Sequence, residues 1–151
     1  MRGTQWAASA VVGYNGVMKY LGIDYGTKKI GLAVSDENGK IAFPYAIIPT
    51  VDKDKQMELI IAKEKIGEIV IGKSTDLKGA SNKVQEEIDT FAALLGMQYG
   101  LPVHFVKEFF SSSEARHFEK RAGGKQAEHI DDKAAAIILQ RHLDTIQLKN
   151  K

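Results

Sequence analysis

A chain of 151 residues with 44 % hydrophobic and 26 % charged residues is sized and composed for one globular domain with a proper core. Its 21 lysines and arginines against 19 acids leave a formal charge of +2, so any grip on a polyanion must come from local patches. There is no cysteine, which excludes disulfides, thiolate zinc sites and thiol catalysis, and no apolar run approaches bilayer length.

Residues 1–17 stand apart. They carry one charged residue (Arg2), the single tryptophan (Trp6) and a short apolar patch, Ala7 to Val12, broken by Gly13. That is a poor signal peptide, with too little basic charge and too short a core. The segment reads as a disordered N-terminal extension or leader, and residues 18–151 as one domain.

Lys19–Asp24 is predicted as a first strand, Ile30–Ser35 as a second and Ile41–Ile48 as a third, with Asp36 to Gly39 as the hairpin turn. Pro49 should end this antiparallel unit. Thr50 or Asp52 can then cap a helix in which Met57, Ile60 and Ile61 recur at helical spacing. Gly67 is expected to stop that helix. A very short buried strand, Glu68–Gly72, leads into a loop over Lys73–Gly79. The longest helix, Ser81–Tyr99, carries Val84, Ile88, Phe91, Leu95 and Tyr99 as one stripe, closed by Gly100 and Pro102. Val103–Val106 is a fifth strand. Ser111 and Glu114 have capping-box spacing, so a short helix should start there and fade at Gly123-Gly124. A final helix spans Asp131–Ile146, with Ala135, Ile138 and His142 aligned on one side.

Three β elements, then αβαβ, then helices predict an α/β fold with a mixed five-stranded sheet and helices on both faces. Right-handed crossovers set the fourth and fifth strands parallel to the first, giving the order 3-2-1-4-5. Ligands in such sheets sit beyond the carboxyl ends of the parallel strands.

Three acids fall near that edge. Asp24 ends the first strand and runs into the polar turn Gly26-Thr27-Lys28. Glu108 follows the fifth strand, and Asp131 opens the last helix. Singly each has an ordinary explanation, since acids mark turns and favour helix starts. Together they would repel and raise one another's pKa unless a cation neutralised them. Mg²⁺ or Mn²⁺ suits such oxygen donors, and these ions can activate water against a phosphodiester.

The chain from Met18 to Leu143 resembles the YqgF family, also called RuvX: RNase H-like, Holliday-junction-resolvase-related proteins associated in bacteria with maturation of the 5′ end of pre-16S ribosomal RNA. The resemblance rests on the segments Gly22 to Gly31, Ile69 to Gly72 with its loop to Gly79, Glu108 to Ser112, and Ile130 to Leu139. It implies an RNase H-like fold and a metal-dependent nuclease, with Asp24, Glu108 and Asp131 as catalytic and metal-binding acids. Asp131 is favoured over Asp132, which falls on a variable position. The same motifs put Thr27, Lys28 and Ser111 within reach of substrate. The implied setting is cytoplasmic, with Mg²⁺ or Mn²⁺ as cofactor, pre-rRNA or branched DNA as partner, and a monomer or weak homodimer as the working form. Two departures from the family pattern stand out. Gly72-Lys73-Ser74 replaces Gly-Leu-Pro, and Lys107-Glu108-Phe109 replaces Asp-Glu-Arg.

Other features are open to two readings. Lys29 and Lys73 can contact phosphate or remain solvated, as can Arg116, Lys120, Arg121 and Lys125 along the short helix and the glycine turn after it. Phe109 and Phe110 suit core packing better than base stacking. The four histidines show no ligand spacing, and His142 reads as a core residue. Two further functional classes stay open: a nucleotide-binding protein of the actin, Hsp70 and sugar-kinase superfamily, whose phosphate loop also reads Asp-x-Gly-Thr, and a nonenzymatic RNA-binding assembly factor.

Overall fold

The computed structural model describes residues 18–74, 82–108 and 130–149. Its strands are β1 Lys19–Asp24, β2 Lys29–Ser35, β3 Ala42–Pro49, β4 Ile66–Ser74 and β5 Val103–Glu108. Its α-helices are α1 Lys53–Glu64, α2 Asn82–Tyr99 and α3 Ile130–Lys149, with a 3₁₀ turn at Thr50–Asp52 before α1. The strands form one sheet in the order β3-β2-β1-β4-β5. β1, β2 and β3 pair antiparallel, while β4 and β5 run parallel to β1. This is the expected order and sense.

Period-two alternation divides the sheet between two cores. Leu21 and Ile23 of β1, Ile30 and Leu32 of β2, and Ile69 and Ile71 of β4 are fully buried toward the side that also holds Met57 of α1 and Phe91 of α2. Ala33 and Val70 face the other way, into a core with Ala135, Ile138, Leu139 and Leu143 of α3. Helices therefore cover both faces, as the sequence predicts.

Several boundaries differ from expectation, each for a local reason. The helix before β4 ends at Lys65, a left-handed residue with φ 55° whose N–H donates to the Ile61 carbonyl. Gly67 lies inside β4, where a Cβ would collide with the Met18 side chain. β4 is longer than Glu68–Gly72 because it has a partner on each side: its register runs from Lys19↔Ile66 to Ser74↔Glu108. Glu108 is thus the last residue of β5 and not a residue beyond it. Pro49 closes β3 opposite Lys29 and does not merely follow it. Asp52 occupies the N-cap of α1 without a side-chain capping bond, and the Thr50 hydroxyl is used elsewhere, as shown below. The hairpin turn is as read: Gly39, at φ 68°, donates to the Asp36 carbonyl. Of the loop predicted over Lys73–Gly79, Lys73 and Ser74 belong to β4; its remainder, the 1–17 extension and the short helix predicted from Ser111 to Gly124 lie outside the described residues.

Candidate active site

The turn after β1 is fixed from both sides. Tyr25 is buried against Phe91 of α2, with ring centroids 5.4 Å apart, and its hydroxyl donates to Glu87 Oε1 at 3.2 Å. Burial first, and then the Glu87 carboxylate, push the phenol pKa up, so Tyr25 stays a donor. On the other side Thr50, 7 % exposed, donates its hydroxyl to the Gly26 carbonyl at 2.8 Å and its N–H to the Lys28 carbonyl at 3.0 Å. Gly26 is required by space: a Cβ there would fall 2.5 Å from the Lys29 carbonyl oxygen.

Held in this way, the turn presents an open pocket of about 260 Å³ lined by Asp24, Gly26, Thr27, Lys28, Lys29 and Gly31. Asp24 is partly buried at its wall, whereas Thr27, Lys28 and Lys29 are exposed. One acid beside two cations and a hydroxyl can take a metal-bound phosphate, with Lys28 and Thr27 offering donors to its oxygens.

Of the other predicted acids, Glu108 ends a strand on the same edge of the sheet as Asp24, and Asp131 stands near the amino end of a helix. Ile23 pairs with Ile71, Gly72 with Val106, and Ser74 with Glu108, so Asp24 and Glu108 end the strands flanking β4. Asp131 is the second residue of α3. This helix runs antiparallel to β1: Tyr20 meets His142, while Gly22 lies against Ala135 and Leu139. The amino end of α3 therefore points toward the carboxyl end of β1. Lys133, in the first turn of α3, is only 5 % exposed and engages a neighbouring group. Ser111 and the basic residues Arg116 to Lys125 lie outside the described residues.

A second group of polar side chains gathers on the carboxyl-terminal half of α3, and sequence reading missed it. Glu68 Oε1 and His104 Nε2 are 2.6 Å apart, the His104 and His142 rings stack at 4.6 Å, and Tyr20 flanks His142 at 5.9 Å. Burial foremost, and then the adjacent His104, push the pKa of His142 down, while Glu68 opposes the shift. Burial and then Glu68 push the Tyr20 phenol up. The two histidines and the glutamate come from three different elements, so no sequence spacing could join them.

The chain matches the family model described as RuvX: Holliday junction resolvase over residues 18–145. It is 39 % identical over 132 residues to a Maridesulfovibrio salexigens protein named "Putative pre-16S rRNA nuclease", covering 83 % of this chain and 98 % of that one. A protein of the same name from Nitratidesulfovibrio vulgaris is 36 % identical over 133 residues, covering 84 % and 94 %. Among solved structures, Thermus thermophilus RuvC superposes with a TM-score of 0.61 at 16 % identity, covering 86 % of this chain and 96 % of that one. The fowlpox virus Holliday junction resolvase gives 0.53 at 13 % identity, covering 85 % and 99 %. These two agree with the RNase H-like sheet found here. With the sheet order, the β1 turn and the match across nearly all of the described residues taken together, this chain belongs to the RuvX family of nucleases.

Proposed function

We propose that this nuclease cleaves a phosphodiester near the 5′ end of a 16S ribosomal RNA precursor, using divalent cations held by Asp24, Glu108 and Asp131. The observation that carries the reading is the antiparallel run of α3 along β1. Asp24 stands two strand residues beyond Gly22, and Asp131 stands one helical turn before Ala135, the residue that meets Gly22. By the rise of ~3.3 Å per strand residue and ~5.4 Å per helical turn, both positions advance by similar distances toward one edge. Glu108 ends β5 on that edge as well.

The donor set suits the ions. Two aspartates and a glutamate supply hard oxygen ligands, and the exposed turn beside Asp24 leaves room for a phosphate. Bound Mg²⁺ or Mn²⁺ would supply Lewis acidity and a water of lowered pKa. The chain's own part is positioning. Asp24 carries the central negative charge, Lys28 and Thr27 offset and orient the phosphate, and Tyr25 and Thr50 hold the turn that bears them. Lys133, buried in the same first turn of α3 as Asp131, would add positive charge near this end of the helix. In this reading the chain works in the cytoplasm, as a monomer or weak homodimer.

Ribosomal RNA is favoured over branched DNA because the curated relatives at 36–39 % identity carry the rRNA name. The family description supports the junction as the second substrate. The test is cleavage of a model pre-16S RNA and of a four-way DNA junction, with Mg²⁺ or Mn²⁺, by wild type and Asp24→Asn. Wild type should cut the RNA and the variant should not. Equal cutting by both would expose a contaminating nuclease. Cutting of the junction alone would reassign the substrate, and no cutting by either would leave a nonenzymatic RNA-binding factor.

A further inference from the structure

We propose a second cation site, formed by Glu68 of β4, His104 of β5 and His142 of α3, that takes Zn²⁺ or a similar transition-metal ion. It lies on the carboxyl-terminal half of α3, away from Asp24. Tyr20, which pairs with Glu68, is four strand residues before Asp24, about 13 Å along β1 at the usual strand rise.

Two independent observations support it. Each of the three side chains offers one ligand atom, and these atoms lie within 4.8 Å of one another. Ligand atoms on a tetrahedral zinc ion stand about 3.4 Å apart, a spacing that lies between the 2.6 Å of Glu68–His104 and the 4.8 Å outer limit of the group. Secondly, His142 Nε2 is buried without a hydrogen-bond partner. A buried polar nitrogen left unpaired is costly, and an ion is one of the few partners that would satisfy it.

The chemistry selects the ion class. Two imidazoles and one carboxylate form a borderline donor set that suits zinc and its neighbours, in contrast to the all-oxygen set proposed at Asp24. Three protein ligands leave a fourth position for water. Tyr20 adjoins the group, flanking His142 and paired with Glu68 across the sheet; its hydroxyl can orient the carboxylate from behind, as outer partners do in metal sites. The bound ion would tie the carboxyl-terminal half of α3 to β4 and β5.

The test is titration of the full chain with Co²⁺ alone, read by its visible absorption. Wild type should bind one equivalent with the intense bands of a tetrahedral ion. Zn²⁺ should bleach those bands, and excess Mg²⁺ should not. Glu68→Gln, His104→Gln and His142→Gln should each lose the bands, whereas Asp24→Asn should keep them. His104 has a side chain 38 % exposed, so its replacement keeps the experiment decisive if the His142 variant fails to fold. Absence of tetrahedral bands in wild type, or bands unchanged in the folded Glu68 and His104 variants, would overturn the site.

Discussion

Gly22 of β1 lies directly against Leu139 of α3. A Cβ added at position 22 would stand 2.7 Å from the Leu139 Cβ and 3.0 Å from the Ala135 carbonyl oxygen. Both contacts are with parts of α3 that cannot swing aside, because Leu139 is fully buried and the carbonyl is backbone. Glycine at this position sets the distance between the helix and the sheet.

Gly22→Ala should therefore push α3 outward. Overpacking of a filled core costs about 1–3 kcal/mol, which urea unfolding would read as a lower midpoint with an unchanged slope. On the proposed site the same shift separates Asp131 from Asp24. Cleavage should then fall by about a hundredfold even at a temperature where the variant stays folded, since misplacement by ~1 Å is enough for that loss. Normal cleavage by a destabilised but folded Gly22→Ala protein would argue against Asp131 as a partner of Asp24.

The contrast between what the sequence disclosed and what it concealed has a physical basis. Sheet order was readable because three β elements precede the αβαβ run, Ile69-Val70-Ile71 reads as a continuous buried strand, and crossover handedness leaves few topologies. The turn after the first strand was readable because Asp24, Gly26 and Thr27 fall within four consecutive residues. The end of α1 was not, because Lys65 takes a left-handed conformation that its identity does not announce, while Gly67 serves close packing on Met18. Thr50 looked like a helix cap because the partner it actually uses, Gly26, is 24 residues away. The Glu68, His104 and His142 group was hidden for the same reason. Its members meet only after β4, β5 and α3 have packed.

That long-range bond from Thr50 gives a second prediction. Thr50→Val keeps the shape of the side chain but removes the hydroxyl, leaving the Gly26 carbonyl without its donor. The expected loss is about 1–2 kcal/mol of stability. The turn bearing Thr27 and Lys28 should loosen, raising the KM for the nucleic-acid substrate more than it lowers kcat. A variant with unchanged KM and reduced kcat would instead assign the turn to the chemical step.

Lys28 is exposed on that turn and is proposed to touch one phosphate. Removing a single phosphate contact should flatten the dependence of log affinity on log salt by about 0.7 for single-stranded and about 0.9 for duplex substrate. The measurement compares Lys28→Ala with its parent by titration across salt concentrations, in an Asp24→Asn background to prevent cutting. An unchanged slope would leave Lys28 a solvated surface lysine.

Acid sensitivity should arise in part at Glu64, where α1 is tied to the sheet. Lys19 Nζ donates to Glu64 Oε1 at 2.9 Å and the Tyr45 hydroxyl to Oε2 at 3.1 Å. The Lys19 hydrogen bond is the main cause holding this carboxyl below its ordinary value of 4.5, against an opposing effect of burial. The unfolded chain therefore binds more protons than the folded one between the depressed value and 4.5, and stability falls as the pH is lowered through that window. Above 4.5 the contribution is fully present. Because the partners are still 27 % and 16 % exposed, the pair is worth no more than about 1 kcal/mol. Glu64→Gln should lower the midpoint of urea unfolding at neutral pH by that small amount and make the curve of stability against pH shallower below 4.5. A variant whose acid limb is as steep as that of wild type would place the responsible carboxylate elsewhere, with Asp36 the next to replace. The Asp36 carboxylate accepts N–H bonds from Lys40 and Ile41 at 2.8 and 3.0 Å, and although burial alone would raise its pKa, these bonds hold it low.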